Sequence, residues 1–243
     1  ITDSEKQAAK GQADAVANAA KEAIANADST KAVTDAVNNG TVAINKDDAN
    51  AAIDGALAEK NNSIDAAPNL TDEEKKAVKG QAKTVADSAK TAISSASTVG
   101  DVASAKKTGV DNINNVNVPT TSATKSAAKA AIDQAAKTKD DAIDASSLTA
   151  EEKDALKKTV AGEVKTAKDN IDAATKDADV TTAKNTGVEK INNVNVPTTS
   201  ATKDDAINAI NTALSAKKTA INGTNLTAEE KSTLVGQAQK LAD

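Results

Sequence analysis

Three acidic pairs recur at fixed places in this sequence: Glu73-Glu74, Glu151-Glu152 and Glu229-Glu230. Paired carboxylates are the raw material of general acid–base catalysis and of calcium binding, because like charges split their pKa values and clustered oxygens can share a cation. Asp140-Asp141, Asp204-Asp205 and the Lys pairs at 75–76, 106–107, 157–158 and 217–218 complete the clustered charge. Each cluster has a plainer reading. The Glu pairs follow Leu-Thr-x, which puts them in the first turn of a helix, where a carboxylate closes a capping box and meets the positive end of the dipole. The Asp pairs sit on Ala/Lys helices and read as solvated, as do the Lys pairs, which are interspersed with acids. No stretch has the alternating oxygen ligands and Gly turn of a calcium loop. The sequence therefore predicts no catalytic, no cofactor-binding and no metal-ligating residues.

Composition narrows the classes further. The 243 residues include no His, Cys, Met, Trp, Tyr, Phe or Arg, and the formal net charge is −5. The usual zinc, haem and iron–sulfur ligands are missing, as are the usual general base and thiol nucleophile. Without aromatics or guanidinium groups there is no stacking platform for bases and no fork for phosphate, and an acidic chain attracts polyanions poorly. No apolar run approaches the ~18 residues of a membrane span. The expectation is a protein that is not an enzyme, with no nucleic acid, membrane or small-molecule substrate as partner. The start at Ile1 without Met and the absence of an export signal predict an internal fragment. The sequons at Asn69 and Asn225 matter only in a eukaryotic secretory setting.

The elements that carry these clusters repeat. Leu-Thr-x-Glu-Glu-Lys occurs at Leu70–Lys75, Leu148–Lys153 and Leu226–Lys231, each 78 residues after the last, and a degenerate copy opens the chain at Ile1. Asn-Val-Pro-Thr-Thr-Ser-Ala-Thr-Lys recurs at Asn117–Lys125 and Asn195–Lys203. The sequence repeats are 1–69, 70–147, 148–225 and 226–243, the first shortened by ten residues between Ile44 and Lys46. Ile, Val and Leu number only 40 of the 243 residues, so the large apolar side chains are few and Ala, the best helix former, makes up the contacts.

Each period predicts three helices. The first starts at Thr149 or Thr71 with a capping box and carries Leu156, Val160, Val164, Ala167 and Ile171 on one face. The second has capping candidates at Asp28, Ser97 and Thr175 and a seam of Val180, Ala183, Gly187, Ile191 and Val194. The third begins around Thr202, carries Ile207, Ile210, Leu214 and Ile221, and stops near Asn222-Gly223, which suits a left-handed C-cap. Gly40, Gly109 and Gly187 recur inside the second helix, where glycine costs ~1 kcal/mol relative to Ala; a close helix crossing is the preferred reading, a ligand groove the sharper one. The Asn-rich runs Asn112–Asn117 and Asn192–Asn195 end that helix and solvate the connection.

Short connections join first to second and third to first helices, whereas the second-to-third connection is longer and holds Pro119 or Pro197. The module boundary is placed there. This gives a partial two-helix module at 1–45, three-helix modules at 46–116 and 125–194, and a partial module at 203–243. The shortened first copy predicts near-continuous helix across Asn45-Lys46. The opposite phase, with each bundle starting at the Leu-Thr motif, stays open at this point. The fold class expected is all-α, tandem three-helix bundles forming an elongated rod.

The Leu-Thr-x-Glu-Glu-Lys start, the helix ending Ile171-Asp172, the Ala183-Lys184…Gly187…Ile191 helix and the Ala142–Asp144 ending together resemble the domain-of-unknown-function repeats of large Gram-positive cell-wall-anchored surface proteins and adhesins. The resemblance covers essentially the whole chain. It implies a structural stalk or spacer of a bacterial surface adhesin, extracellular, anchored to the cell wall through parts of the parent protein outside this chain, with neighbouring repeats as its contacts. The alternative is a helical module that binds a host or matrix protein of unknown identity. The resemblance carries no catalytic residues.

Overall fold

The computed structural model describes the backbone of residues 3–243 and the side chains from residue 6 onward; the opening copy of the helix-start motif lies outside those side chains. Nine helices and no strands occur among the described residues. They are α1 (Asp3–Ala25), α2 (Thr30–Asp65), α3 (Asp72–Ser95), α4 (Val99–Asn114), α5 (Ala123–Ala145), α6 (Ala150–Ala173), α7 (Asp177–Asn192), α8 (Ala201–Asn222) and α9 (Ala228–Ala242). The all-α class of tandem helical repeats read from the sequence is what the structure has. Two units divide the chain: Ile1–Ser126 with Ala174–Ala178, and Ala127–Ala173 with Asp179–Asp243.

In the first unit α1 packs on the N-terminal half of α2, while the C-terminal half of α2 packs with α3 and α4, which also touch each other. The core of that three-helix packing is Ala49, Ile53, Ala56, Ala86, Ala89, Ile93, Ala96, Val102 and Ile113. Small and branched residues alternate, so Ala lets the helices approach and Ile fills the space between them. α2 runs unbroken through Asn45-Lys46, as the ten-residue deletion predicts, because no proline or turn residue interrupts helical pairing there.

In the second unit the largest buried side chains recur at the same places in the repeat: Ile132 and Ile143 on α5, Val160 and Ile171 on α6, Val180 and Ile191 on α7. α8 packs on α9. The seam read for α8 is only partly covered: Ile221 is buried, while Ile207 and Ile210 are 54% and 48% exposed. Ile132, which holds the same place in α5 as Ile210 in α8, lies within reach of both α6 and α7 at the Gly187 crossing.

The recurrent glycines mark those crossings. A Cβ at Gly109 would lie 2.5 Å from the Ala89 Cβ and 2.6 Å from the Ile53 Cδ1, so the three helices meet at one point through the missing side chain. Gly187 meets Ala167 and, at 2.8 Å, the Ile132 Cδ1; Gly40 meets Ala20. The close-crossing reading holds for all three.

Two local expectations are corrected. The side chains that cap the second-type helices are Ser29, accepting from the Ala32 N–H, and Thr98, accepting from the Asp101 N–H, one residue after Asp28 and Ser97. The cap must reach back from a position three residues before its donor, which only the later residue does. Gly223 ends α8 at φ −78°, ψ −5° and not in the left-handed region. Its N–H donates to Thr219 O, and the Thr224 hydroxyl donates to Ile221 O, so the last carbonyls are satisfied without the left-handed residue.

Candidate functional site: the joints after α4 and α7

Four polar residues are buried among the described side chains: Thr71, Ser122, Lys125 and Ser200. All four stand at the start of a helix beside a proline-containing connection, Val116–Thr124 or Val194–Thr202. Buried polar groups persist where hydrogen bonds repay their desolvation. These connections are therefore the chemically built parts of the molecule.

The Leu-Thr-x-Glu-Glu-Lys string explains how. Leu70 and Leu148 are buried and seat the segment against the bundle. The Thr71 hydroxyl accepts from the Glu74 N–H at 3.2 Å while Glu74 Oε2 accepts from the Thr71 N–H at 3.1 Å, and Thr149 with Glu152 does the same at 3.3 and 2.9 Å. Thr227 and Glu230 form a third box. Lys75 and Lys153 reach back to the carbonyls of Asp65 and Asp144, closing the end of the preceding helix.

The second oxygen of the glutamate does something a capping box does not require. Glu74 Oε1 accepts from the Ser122 hydroxyl and the Thr124 N–H, both at 3.0 Å, at the first turn of α5. Glu152 Oε1 accepts from the Thr202 N–H and hydroxyl, both at 3.1 Å, at the first turn of α8. One carboxylate thus joins the start of the first helix of a sequence repeat to the start of the third helix of the same repeat.

Two further side chains hold each connection. Lys60 donates to Asn114 O and Val116 O at 2.8 and 2.9 Å, and Lys139 donates to Asn192 O and Val194 O at 2.7 and 2.8 Å, placing a cation at the negative end of α4 and of α7. Asn69 donates to Thr120 O, and Ser147 in the same place donates to Thr198 O. Sequence reasoning missed Lys60, Lys139, Asn69 and Ser147, because their partners lie about fifty residues away; recurrence at one place in the repeat was the available signal.

The electrostatics follow the geometry. The Thr149 N–H, then the Thr202 N–H and the Ser200 hydroxyl, hold the Glu152 carboxyl down at about 2. For Glu74 burial pushes upward, but the Thr124 and Thr71 N–H bonds outweigh it and the carboxyl stays below the ordinary range. The Thr227 N–H and hydroxyl lower Glu230. A carboxylate held ionised and saturated with donors is a poor proton shuttle. These acids are arranged to hold backbone.

Asp140, Asp141, Asp204 and Asp205 are not brought together with the Glu pairs. Asp141 pairs with Lys137 at 2.7 Å in an exposed i, i+4 contact. Most other ion pairs, such as Lys83–Asp87 and Lys165–Asp169, are likewise exposed and worth little individually. Among the described residues, no helix is long and apolar enough to cross a membrane.

No curated protein and no solved structure matches the chain. The sequence profile of a Domain of Unknown Function, DUF1542, matches three times in tandem, over residues 1–47, 45–121 and 124–199. The second match ends and the third begins within the Val116–Thr124 connection, the third ends within Val194–Thr202, and the first two meet at 45–47 inside α2. The chain belongs to the DUF1542 family, whose domain is found in surface proteins of Gram-positive bacteria.

Proposed function

We propose that this chain is a spacer segment of a bacterial surface adhesin, holding a distal binding region away from the cell wall, with anchoring supplied elsewhere in the parent protein. The observation that carries the reading is the duplicated clamp. Glu74 with Lys60 and Asn69 pins one connection, and Glu152 with Lys139 and Ser147 pins the other by the same backbone atoms. A protein that must transmit distance needs its connections held, whereas one that needs only separate binding beads can leave them loose. The buried hydroxyls of Thr71, Ser122 and Ser200 stand at these connections, where each caps a helix start.

Small-angle scattering of the full chain tests the proposal. A compact globule of this length has a radius of gyration near ~18 Å. A spacer gives a clearly larger value with a pair-distance distribution skewed to long distances. A value near the globular one ends the spacer reading.

A further inference from the structure

The first carboxylate of the pair at Glu73-Glu74 also has a partner. Glu73 Oε2 accepts from the Asp177 N–H at 3.0 Å, and beside it the Asp72 N–H donates to Thr175 O at 2.8 Å. The segment Ala174–Ala178, which opens α7, belongs to the same unit as α3. Asp177 is the first residue of α7, so its N–H is one of the donors that a helix start leaves without an intrahelical acceptor.

The repeat shows what is unusual about α7. Helices α2 and α4 begin after Ser29 and Thr98, whose hydroxyls accept from the third residue of their helices. The residue in that place before α7 is Lys176, whose ammonium has donors and no acceptor. α7 therefore cannot cap itself in the way its two counterparts do. We propose that Glu73 serves as the missing cap of α7, supplied from the preceding sequence repeat, with Asp72 and Thr175 closing a two-point backbone lock beside it.

The chemistry fits. A carboxylate is a stronger acceptor than the hydroxyl it replaces and places negative charge at the positive end of α7. Lys176 and Lys76 add attraction from either side, and the Asp177 N–H, ahead of these, keeps the carboxyl ionised. The substitution of Lys for a capping hydroxyl and the recruitment of an acid from another repeat form a matched pair. It supplies a pairing rule: a second-type helix without its own cap belongs after a repeat that presents an acid at the position of Glu73.

Amide hydrogen exchange on the full chain tests it with two substitutions. Glu73→Ala should speed exchange at Asp177 and the next two amides of α7 severalfold, while Glu151→Ala, at the same place in the following repeat, leaves them unchanged. Adding Lys176→Thr to Glu73→Ala should restore protection at Asp179, the third residue of α7, by returning a local hydroxyl cap like those of Ser29 and Thr98. Unchanged exchange in Glu73→Ala overturns the proposal. Faster exchange that Lys176→Thr fails to correct also overturns it, because the loss would then come from the start of α3 and not from a missing cap.

Discussion

Glu152 and Thr202 are separated by 50 residues of chain and joined by two hydrogen bonds to one carboxylate oxygen. The other oxygen of the same carboxylate closes the capping box on Thr149. The start of α6 and the start of α8 are consequently not independent: whatever releases the acid loosens both. Glu74 makes the same connection between α3 and α5.

Limited proteolysis should resolve the two joints. Glu152→Ala is expected to accelerate cleavage within Val194–Thr202 and to leave Val116–Thr124 as it was, with Glu74→Ala giving the opposite pattern. Fragment masses read the positions directly. Equal cleavage in wild type and variants would show that the prolines and the Lys60 and Lys139 contacts hold the connections unaided.

Acid should weaken the fold through these same carboxylates. Glu152 sits at about 2, well below the ~4.3 of an unfolded glutamate. A depressed group contributes its stability above the unfolded value and loses it as pH falls through the folded one. Glu73, Glu74 and Glu230 shift in the same direction. With no His in the chain, thermal melts followed by circular dichroism should be flat from about pH 8 to 5 and then fall between about 4.3 and 2. Glu152→Gln should shrink that fall. A midpoint that moves between pH 5 and 8 would contradict the assignment.

Glycine substitutions should split by position. A Cβ at Gly80 or Gly162 meets nothing within 4 Å, so Gly→Ala there should stabilise by about 0.5–1 kcal/mol through helix propensity. At Gly109 the same change drives a methyl into Ala89 and Ile53, and Ala89 cannot rotate away because its Cβ is fixed to the backbone. Overpacking of this kind costs roughly 1–3 kcal/mol and should outweigh the propensity gain. Urea midpoints at constant slope distinguish the two classes.

Thr71→Ala and Ile113→Ala probe cap and core in one bundle. Thr71 is fully buried and closes the α3 box, so its loss should cost about 1–2 kcal/mol. Ile113 is also fully buried, among α2, α3 and α4, and its truncation should cost about 2–5 kcal/mol. An Ile113→Ala variant as stable as wild type would mean that α4 is dispensable to this core.

What the sequence made legible was local or periodic. Thr71 and Thr149 announce helix starts because box partners stand three residues apart, and Gly109 announces a crossing because a helix tolerates glycine only when something needs the space. The second-type caps were misplaced by one residue because Asp28 and Ser29, like Ser97 and Thr98, are adjacent acceptors that a pattern cannot rank. Gly223 looked left-handed because its ordinary alternative depends on Thr224, a neighbour whose hydroxyl reaches Ile221 only in three dimensions. The joint was legible as a Glu pair and illegible as a clamp, since nothing near Glu152 in the sequence points to Thr202.

The unbroken α2 gives the first two repeats a different mutational grammar. Gly40 faces α1 and Ala49 lies in the core with α3 and α4. Nine residues at about 100° each put these two contacts on opposite sides of a single helical shaft. One inserted residue between them would turn one contact face by about 100° against the other, and a deletion would turn it as far the other way. Chain length in this segment is therefore an angular key with discrete settings, and drift in length here is forbidden by geometry before it is penalised by energy.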